Sequence, residues 1–254
     1  MNVVVLVKYV PDPQGTPRLG EDHLVVREGT DGTLDPGDEH AVEAALQVAE
    51  AHGGEVTLVS MGPDVAMSAV RKGLSMGADR GVLVTDPALR GADTLATAKV
   101  LAAAVARQRF DLVLSGVEST DGYTGTLPMA VAELLGLPSL TFARTLEVDE
   151  SSVRIERQTD LGFDVLESPM PVLVSVTGAA NEPRYATLKG IMSAKTKPVE
   201  QLGLADLGLA EDDVRPGQRV VAVTAAPVKG PGEIVEGDEA VARIADLLTG
   251  TTVT

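Results

Sequence analysis

Short runs of β-branched residues, separated by stretches of helical length, restrict this chain to very few folds. The first run is NVVVLVK, at residues 2–8, and similar runs recur in EVTLVSMG, GVLVTD and FDLVLSG. Each run is apolar on both faces, which is typical of strands buried inside a parallel sheet. Helical patterns such as DEHAVEAALQVAEAHGG lie between them. This alternation predicts an α/β fold with right-handed βαβ crossovers and a doubly wound, mostly parallel sheet.

The later part of the chain adds strands and then a terminal arm. SLTFARTLEV, SVRIERQTD, FDVLES and PVLVSV predict strands joined by short turns, read as antiparallel hairpins added to the sheet. QRVVAVTAAP, at residues 218–227, predicts one more strand, and VKGPGEIVEG predicts a linker. DEAVARIADLLTG predicts a final helix with Asp238 as its N-cap and an apolar stripe of Val241, Ile244 and Leu248. We therefore expect a main domain at residues 1–225 and a C-terminal arm at residues 226–254.

Charge and composition exclude several classes of function. The net charge of −16 argues against binding to nucleic acids and to anionic membrane surfaces, because both require an excess of Lys and Arg. The chain has no Cys, hence no disulfide, thiol nucleophile or thiolate metal site. No apolar run approaches the roughly 20 residues of a membrane span, and the start lacks the basic and long apolar regions of a secretion signal. We expect a cytoplasmic protein with no direct membrane insertion.

One loop after a predicted strand combines glycines with hydroxyl residues. In SGVESTDGYTGTLP, at residues 115–128, the glycines allow tight turns and close approach of a ligand. A helix N-terminus follows, and its free N–H groups and positive dipole end favour an anion such as phosphate. Asp121 would repel a phosphate unless its carboxylate is occupied by capping backbone N–H groups. Glycine and threonine are also ordinary turn and cap residues, so the pattern leaves phosphate binding and a purely structural turn about equally supported. The polar candidates are Ser119, Thr120, Thr124 and Thr126.

Patterns that would indicate catalysis are missing from the sequence. The loop spacing is neither GxGxxG nor a P-loop, which argues against a dinucleotide dehydrogenase and a P-loop ATPase. His23, His40 and His52 lack metal-binding spacing, and neither Ser60 nor Ser115 lies in a GxSxG context. The prediction is no catalytic residue and no metal site.

The segment NEPRYATLKGIMSAKTK, at residues 181–197, is basic in an otherwise acidic chain. Leu188, Ile191 and Met192 are spaced to lie together on one face of a short helix. From the residues alone, this trio either covers the core or forms a small apolar contact with a polar rim for a partner.

Several separate motifs resemble the beta subunit of electron transfer flavoprotein. They are NEPRYATLKGIMSAKTK, the preceding IERQTDLGFDVLESPMPVLVSVTGAANEPR, LVSMGP followed by GLSMGAD, and the TDG loop ahead of AELLGLP. The resemblance runs from Met1 to about Pro198, whereas the tail matches in layout only.

The resemblance implies a fold and a set of partners. The fold would be a Rossmann-like sheet of the adenine-nucleotide-binding type, in a heterodimer with an alpha subunit that holds most of the FAD. This chain would carry AMP as a structural ligand and have no reaction of its own. Electrons would come from acyl-CoA and related dehydrogenases, as in fatty acid beta-oxidation, and pass to a quinone oxidoreductase. The C-terminal helix is expected to dock on the alpha subunit.

The resemblance also implies site residues. Leu188 would insert into an apolar pocket of a partner dehydrogenase, whereas Ile191 and Met192 beside it are expected to pack largely on the core. The expected docking residues are Arg184, Tyr185, Leu188, Lys189, Ile191 and Met192. The expected AMP contacts are Leu6, Asp35, Pro36, Gly37, Asp38, Met61, Gly116, Ser119, Thr120, Asp121, Gly122, Tyr123, Thr124, Gly125, Thr126 and Leu127.

This sequence departs from the family pattern at several positions. Asp35, Pro36 and Gly37 stand where relatives often have Asn-Pro-Phe, and Pro13 stands where they often have an aromatic residue. At the helix start, TLP at residues 126–128 replaces Gln-Thr-Gly. These changes affect the expected packing near the flavin and the expected contacts to phosphate.

Three alternatives share the predicted layout. One is an electron-bifurcating relative with a second FAD in place of AMP. Another is a universal-stress-type nucleotide-binding module, which the extra strands and the terminal arm oppose. The third is an ATP-pyrophosphatase-type enzyme, which needs a Ser/Gly-rich phosphate loop where this chain has KYVPDPQG.

Overall fold

A computed structural model describes residues 1–15, 17–27, 29, 31–224, 227, 230, 232 and 234–250, with Asp238 described by its backbone alone. Contacts within the chain divide it into two units, Met1–Val221 and Ala222–Thr254. The boundary predicted between Ala225 and Ala226 and the capping side chain of Asp238 fall outside the described residues, so both stay predictions.

The strands and helices of the described residues alternate along the first half of the chain. The strands are β1 Val3–Leu6, β2 Tyr9–Pro11, β3 Gly32–Leu34, β4 Val56–Met61, β5 Arg80–Val84, β6 Leu112–Gly116, β7 Ser139–Ala143, β8 Thr145–Val148, β9 Ser152–Thr159, β10 Gly162–Pro169, β11 Val172–Val176 and β12 Val199–Leu202. The helices are α1 Pro36–His52, α2 Met67–Met76, α3 Thr94–Ala106, α4 Leu127–Leu135, α5 Leu188–Ala194 and α6 Asp238–Gly250.

The main sheet confirms the predicted doubly wound, mostly parallel α/β fold. Its order is β12-β5-β4-β1-β6-β11-β7, and each neighbouring pair is parallel. Val3 and Val5 belong to the core under α1 and α2, whereas Val4 and Leu6 belong to the core under α3 and α4. Alternate residues of β1 therefore face opposite layers, and both faces are buried, which explains why the strand is apolar throughout.

The chain reverses its direction of travel across this sheet at β1. From β1 it proceeds through β4 to β5 on one side, and it then resumes with β6 on the other side of β1. In open α/β sheets, ligands bind outside the carboxyl ends of the strands at such a reversal. The fold therefore places the candidate site above β1 and β6.

The later strands differ from the sequence prediction in two ways. SLTFARTLEV breaks after Ala143 into β7, at the edge of the main sheet, and β8; Phe142, just before the break, has φ +60°. Strands β8, β9 and β10 form a separate antiparallel sheet in the order β10-β9-β8 rather than extending the main one.

The strand predicted at residues 218–227 is wrong in its described part. Residues 218–224 form no strand and are exposed to solvent. Val220 and Val221 have the residue type of a strand, but no strand of the described residues pairs with them, and an unpaired strand is not stable in water.

Candidate functional site

The carboxyl edge of the sheet at the reversal contains residues from three neighbouring strands. Leu6 ends β1 and pairs with Val59 of β4, so Met61 lies two residues further along the adjacent strand. Gly116 ends β6 on the other side of β1. Leu6 is buried and Met61 partly buried, and both pack toward α3 and α4. Leu6, Met61 and Gly116, which are far apart in the sequence and were all predicted to contact AMP, thus lie at one edge of the sheet.

Two buried carboxylates at the start of α1 fix the loop at residues 116–127 in place. Asp35 is fully buried and caps α1, with one oxygen accepting from the N–H of Gly37 at 2.8 Å. Its other oxygen accepts from the backbone N–H and the hydroxyl of Thr120, at 2.7 Å and 2.8 Å. Pro36 occupies the first turn and is exposed. Asp35 and Thr120, both predicted ligand contacts, therefore bind each other.

Asp38 joins the two strands that border the reversal. Its carboxylate accepts from the backbone N–H of Lys8 at 2.8 Å and, more weakly, from that of Gly116 at 3.3 Å. Gly116 is required here because a Cβ would lie only 2.8 Å from an oxygen of Asp38. Burial, together with the negative charge of Asp35, raises the pKa of Asp38 well above its usual range.

Asp121 is paired with two cations rather than with backbone N–H groups. Lys8 Nζ lies 2.6 Å from its carboxylate and also donates to Ser119 Oγ at 3.0 Å, and Arg27 contacts the second carboxylate oxygen. Burial alone would raise the pKa of Asp121, but Lys8 and Arg27 outweigh it, so the pKa is lowered. The charge of Asp121 is therefore neutralised by side chains rather than occupied by backbone capping.

Sequence reasoning missed Lys8 and Arg27 for different reasons. Lys8 is the last residue of the first predicted strand, so its place at the carboxyl edge of the sheet could have been inferred from the sequence. Arg27 lies 94 residues from Asp121 in the chain, and no local pattern links the two.

The end of this loop leaves polar groups unpaired at the start of α4. Thr126 is the N-cap but makes no side-chain capping bond. Among the described residues, no hydrogen bond involves the hydroxyls of Thr124 and Thr126 or the amide N–H groups of Leu127 and Met129.

Positive backbone φ angles shape the same turn. Tyr123 has φ +46° and Gly125 has φ +61°. The Tyr123 side chain is exposed, and Gly122 lies against Ser119. Thr124 and Thr126 of this turn are exposed, and the positive φ of Tyr123 costs a non-glycine residue some strain.

A buried hydroxyl near the carboxyl end of β6 has no partner among the described residues. Ser115 precedes Gly116 in β6, is buried, and its Oγ makes no hydrogen bond. An unsatisfied buried hydroxyl costs free energy, and Ser60 Oγ in the nearby strand β4 is a second one.

The segment at residues 181–197 presents its apolar side chains to solvent. Tyr185 is 95 %, Leu188 76 %, Met192 66 % and Ile191 48 % exposed. The expectation that Ile191 and Met192 pack on the core is therefore wrong; Ala194 is the residue of α5 that is buried. Lys189 is also exposed.

Arg184, predicted to be part of a polar rim, is instead bound to α1. Its guanidinium lies 2.7 Å from Glu43 and 2.5 Å from Glu50. Glu43 is buried, yet hydrogen bonds from Arg184 outweigh the effect of burial and lower its pKa. The carboxylates raise the pKa of Arg184 further above its ordinary value. Neither glutamate was identified from the sequence.

Across the parts of the chain that the structure describes, no helix has the length and apolar character needed to cross a membrane.

Comparison with known proteins identifies relatives over nearly the whole chain. The family model of the electron transfer flavoprotein domain matches residues 22–207. The electron transfer flavoprotein subunit beta of Mycobacterium leprae (strain TN) is 43% identical over 249 residues, which cover 93% of this chain and 94% of the relative. The protein of the same description from Mycobacterium tuberculosis (strain ATCC 25618 / H37Rv) is 42% identical, covering 92% of each chain. That from Bacillus subtilis (strain 168) is 34% identical, covering 94% of this chain and 93% of the relative.

Proposed function

The chain belongs to the electron transfer flavoprotein family as a beta subunit, and on that premise we propose that it forms half of an electron-carrying heterodimer. Its partner is the alpha subunit, which holds most of the FAD. The heterodimer takes electrons from acyl-CoA and related dehydrogenases and delivers them to a quinone oxidoreductase. The flavin supplies the redox chemistry, and this chain supplies position and environment.

The nucleotide of this chain is AMP, bound as a structural ligand at the sheet reversal. The residues present fit an adenylate. The unpaired amides of Leu127 and Met129 and the hydroxyl of Thr124 suit a phosphate at the start of α4, and the buried Oγ of Ser115 offers a polar contact below it. The pairing of Asp121 with cations removes a charge that would repel phosphate. This loop of unpaired donors beside a neutralised carboxylate is the observation that carries the proposal.

The carboxylates of α1 do not touch the phosphate in this scheme. Asp35 and Asp38 already bind Thr120, Lys8 and Gly116, so they hold the loop in a binding-ready form. Preorganisation of this kind lowers the ordering cost of binding.

Docking of the dehydrogenase takes place at the segment of residues 181–197. Leu188 enters an apolar pocket of the partner, and Ile191, Met192 and Tyr185 extend the contact. Lys189 lies at its polar edge. A contact of this size suits a carrier that binds and leaves quickly.

Nucleotide content is the first test. Acid extraction of the purified heterodimer is expected to release FAD and AMP in about equal amounts, because one FAD and one AMP are proposed per heterodimer. Chromatography of the extract against standards measures the ratio. Two FAD and no AMP would place the protein with the electron-bifurcating relatives and overturn the AMP proposal.

Truncation of Leu188 tests the docking surface. Leu188→Ala is expected to weaken docking about tenfold or more, because burial of a leucine side chain contributes about 1.5–3 kcal/mol. Flavin reduction by an acyl-CoA dehydrogenase and its substrate measures the effect, with flavin content as a check on folding. Leu95→Ala is the matched control, since Leu95 is a half-exposed leucine on α3. Equal rates for both variants would refute the docking role.

A further inference from the structure

Apolar burial does not hold the docking segment in place. Residues 181–187 form neither helix nor strand, and the large apolar side chains that follow are exposed. In α5 the buried residue is Ala194, whose small side chain contributes little apolar area. The position of Leu188 therefore depends largely on polar contacts and on close backbone packing.

An ion-pair cluster on α1 provides such contacts. Arg184 Nε and Nη2 donate to the two oxygens of Glu43 at 2.7 Å and 3.0 Å. Its Nη1 and Nη2 donate to the two oxygens of Glu50 at 2.5 Å and 3.1 Å. The backbone N–H of Arg184 also donates to Glu43, at 3.1 Å. We call this cluster of Arg184, Glu43 and Glu50 the arginine clamp.

The clamp fixes both the main chain and the side chain at one position. Four residues later the chain reaches Leu188, whose helix is capped by the Thr187 hydroxyl accepting from the N–H of Gly190 at 3.0 Å. Gly190 itself lies against the carbonyl of Ser75 in α2, where a Cβ would collide. On α1 the segment is held by the clamp and by Asn181, whose side-chain amide donates to the carbonyl oxygen of His40 at 2.9 Å. On α2 it is held by the close contact of Gly190 and, further along, by Arg71, which donates to the carbonyl oxygens of Ala194 and Lys197 at 2.7 Å. Of these contacts, the clamp lies closest in sequence to Leu188 on the side of α1.

The chemistry of the clamp requires arginine. A planar guanidinium can bind two carboxylates through several parallel hydrogen bonds, whereas lysine offers a single compact ammonium. The Glu43 side chain is only 5% exposed, so loss of Arg184 would leave a buried carboxylate with no countercharge and only the hydrogen bond from Gln47 at 2.9 Å. Hydrogen bonds from Arg184 lower the pKa of Glu50 as well, so the cluster is ionised at neutral pH.

We propose that Arg184 is a positioning residue for docking: the arginine clamp holds residues 181–187 on α1 so that Leu188 is presented in a fixed orientation. The inference rests on the docking role proposed for Leu188. Arg184 acts through that leucine and not by touching the partner. A segment that is already held in its bound conformation loses less conformational entropy on binding. This saving matters most for a small interface, which has little binding energy to offset an ordering cost.

Electron transfer kinetics with the heterodimer test the clamp. An acyl-CoA dehydrogenase with its acyl-CoA substrate serves as donor, and the KM for the carrier and kcat are measured separately. Arg184→Gln is expected to raise KM about tenfold with kcat nearly unchanged, which corresponds to about 1.4 kcal/mol of added ordering cost. Arg184→Lys is expected to raise KM similarly, because it keeps the charge but loses the forked geometry.

Controls separate this inference from the docking proposal. Arg90→Gln removes an arginine from an exposed pair with Asp22 and is expected to leave KM unchanged. Amide hydrogen exchange at residues 184–188 is expected to accelerate in Arg184→Gln but not in Leu188→Ala, since only the first variant releases the segment. A normal KM for Arg184→Gln alongside a raised KM for Leu188→Ala would overturn the clamp and leave docking intact. Normal KM values for both variants would overturn both ideas.

Glu50→Gln keeps the test decisive if Arg184→Gln does not fold. The Glu50 side chain is 60% exposed, so its loss spares the buried carboxylate and the fold. It removes one half of the clamp and is expected to raise KM about threefold, less than loss of the arginine. An unchanged KM in this variant would also overturn the inference.

Discussion

At the scale of single residues, the nucleotide site depends on how acidic side chains are neutralised. Asp121 remains ionised because Lys8 and Arg27 contact it, whereas Asp38 is buried beside a second carboxylate. A chain with net charge −16 thus neutralises an acidic side chain at the loop with two cations. Glycine and threonine positions in this loop could be predicted from the sequence, but the pairing of acid with cation could not, because the partners come from distant segments.

The raised pKa of Asp38 makes a prediction about pH. Ionisation costs more in the folded state than in the unfolded state, so its contribution to stability is largest when Asp38 is neutral at low pH. That contribution falls as pH rises above about 4 toward the folded pKa. Asp35→Asn is expected to lower the pKa of Asp38 and to reduce this loss, because it removes the neighbouring negative charge. Carboxyl NMR titration of Asp38 measures the shift.

Asp93→Asn is the control for that titration. Asp93 also caps a helix, α3, by accepting from the N–H of Ala96 at 2.9 Å, but it belongs to a different element. Asparagine is as good an N-cap as aspartate, so this variant is expected to keep the cap and to leave the pKa of Asp38 unchanged. If Asp35→Asn also left that pKa unchanged, the neighbouring charge would not be its cause.

At the scale of elements, α1 supports both proposed sites. Its first turn carries Asp35 and Asp38, which hold the loop of the nucleotide site, and Glu43 on a later turn holds Arg184. His40 lies between them, and its Nδ1 is 3.1 Å from the carbonyl oxygen of Asn181. Helix α1 was predictable from its apolar face and its terminal glycine, but its polar contacts were not visible in that pattern.

The sequence predicted strands correctly where both faces of the strand are buried. It failed where strand formation depends on whether a neighbouring strand is available to pair with. The β-branched run of β1 could only be stable between two layers, and the structure places it there. Val220, Val221 and Val223 carry a similar pattern yet lie exposed without a strand partner in the described residues. Residue type shows that a segment is suited to a strand, whereas the strand forms only if a sheet edge is free to pair with it.

The same limit applies to the docking segment. The spacing of Leu188, Ile191 and Met192 correctly placed them on one short helix, but did not show which side of that helix faces the core. Burial of Ala194 and the close approach of Gly190 to Ser75 set the orientation of α5. A small residue, rather than a large apolar one, therefore marks the packed face.

At the scale of the whole molecule, apolar side chains remain exposed on the docking segment and on α6. Val241 is 72%, Ile244 57% and Leu248 74% exposed, and they form the predicted stripe. We propose that the segments have different partners: the first meets a dehydrogenase transiently, and α6 stays on the alpha subunit. Such a stripe in water favours burial on a partner surface.

Substitutions on α6 test its proposed docking on the alpha subunit. Ile244→Asp is expected to raise the Kd for the alpha subunit at least about tenfold, because it removes apolar burial and places a charge in the contact. Titration of labelled alpha subunit with each variant measures Kd. Ala242→Asp is the matched control: it adds the same charge to the same helix, about 100° away from the stripe. Equal affinities for the two variants would show that the stripe does not meet the alpha subunit, whereas weakening confined to Ile244→Asp would assign α6 to the heterodimer contact.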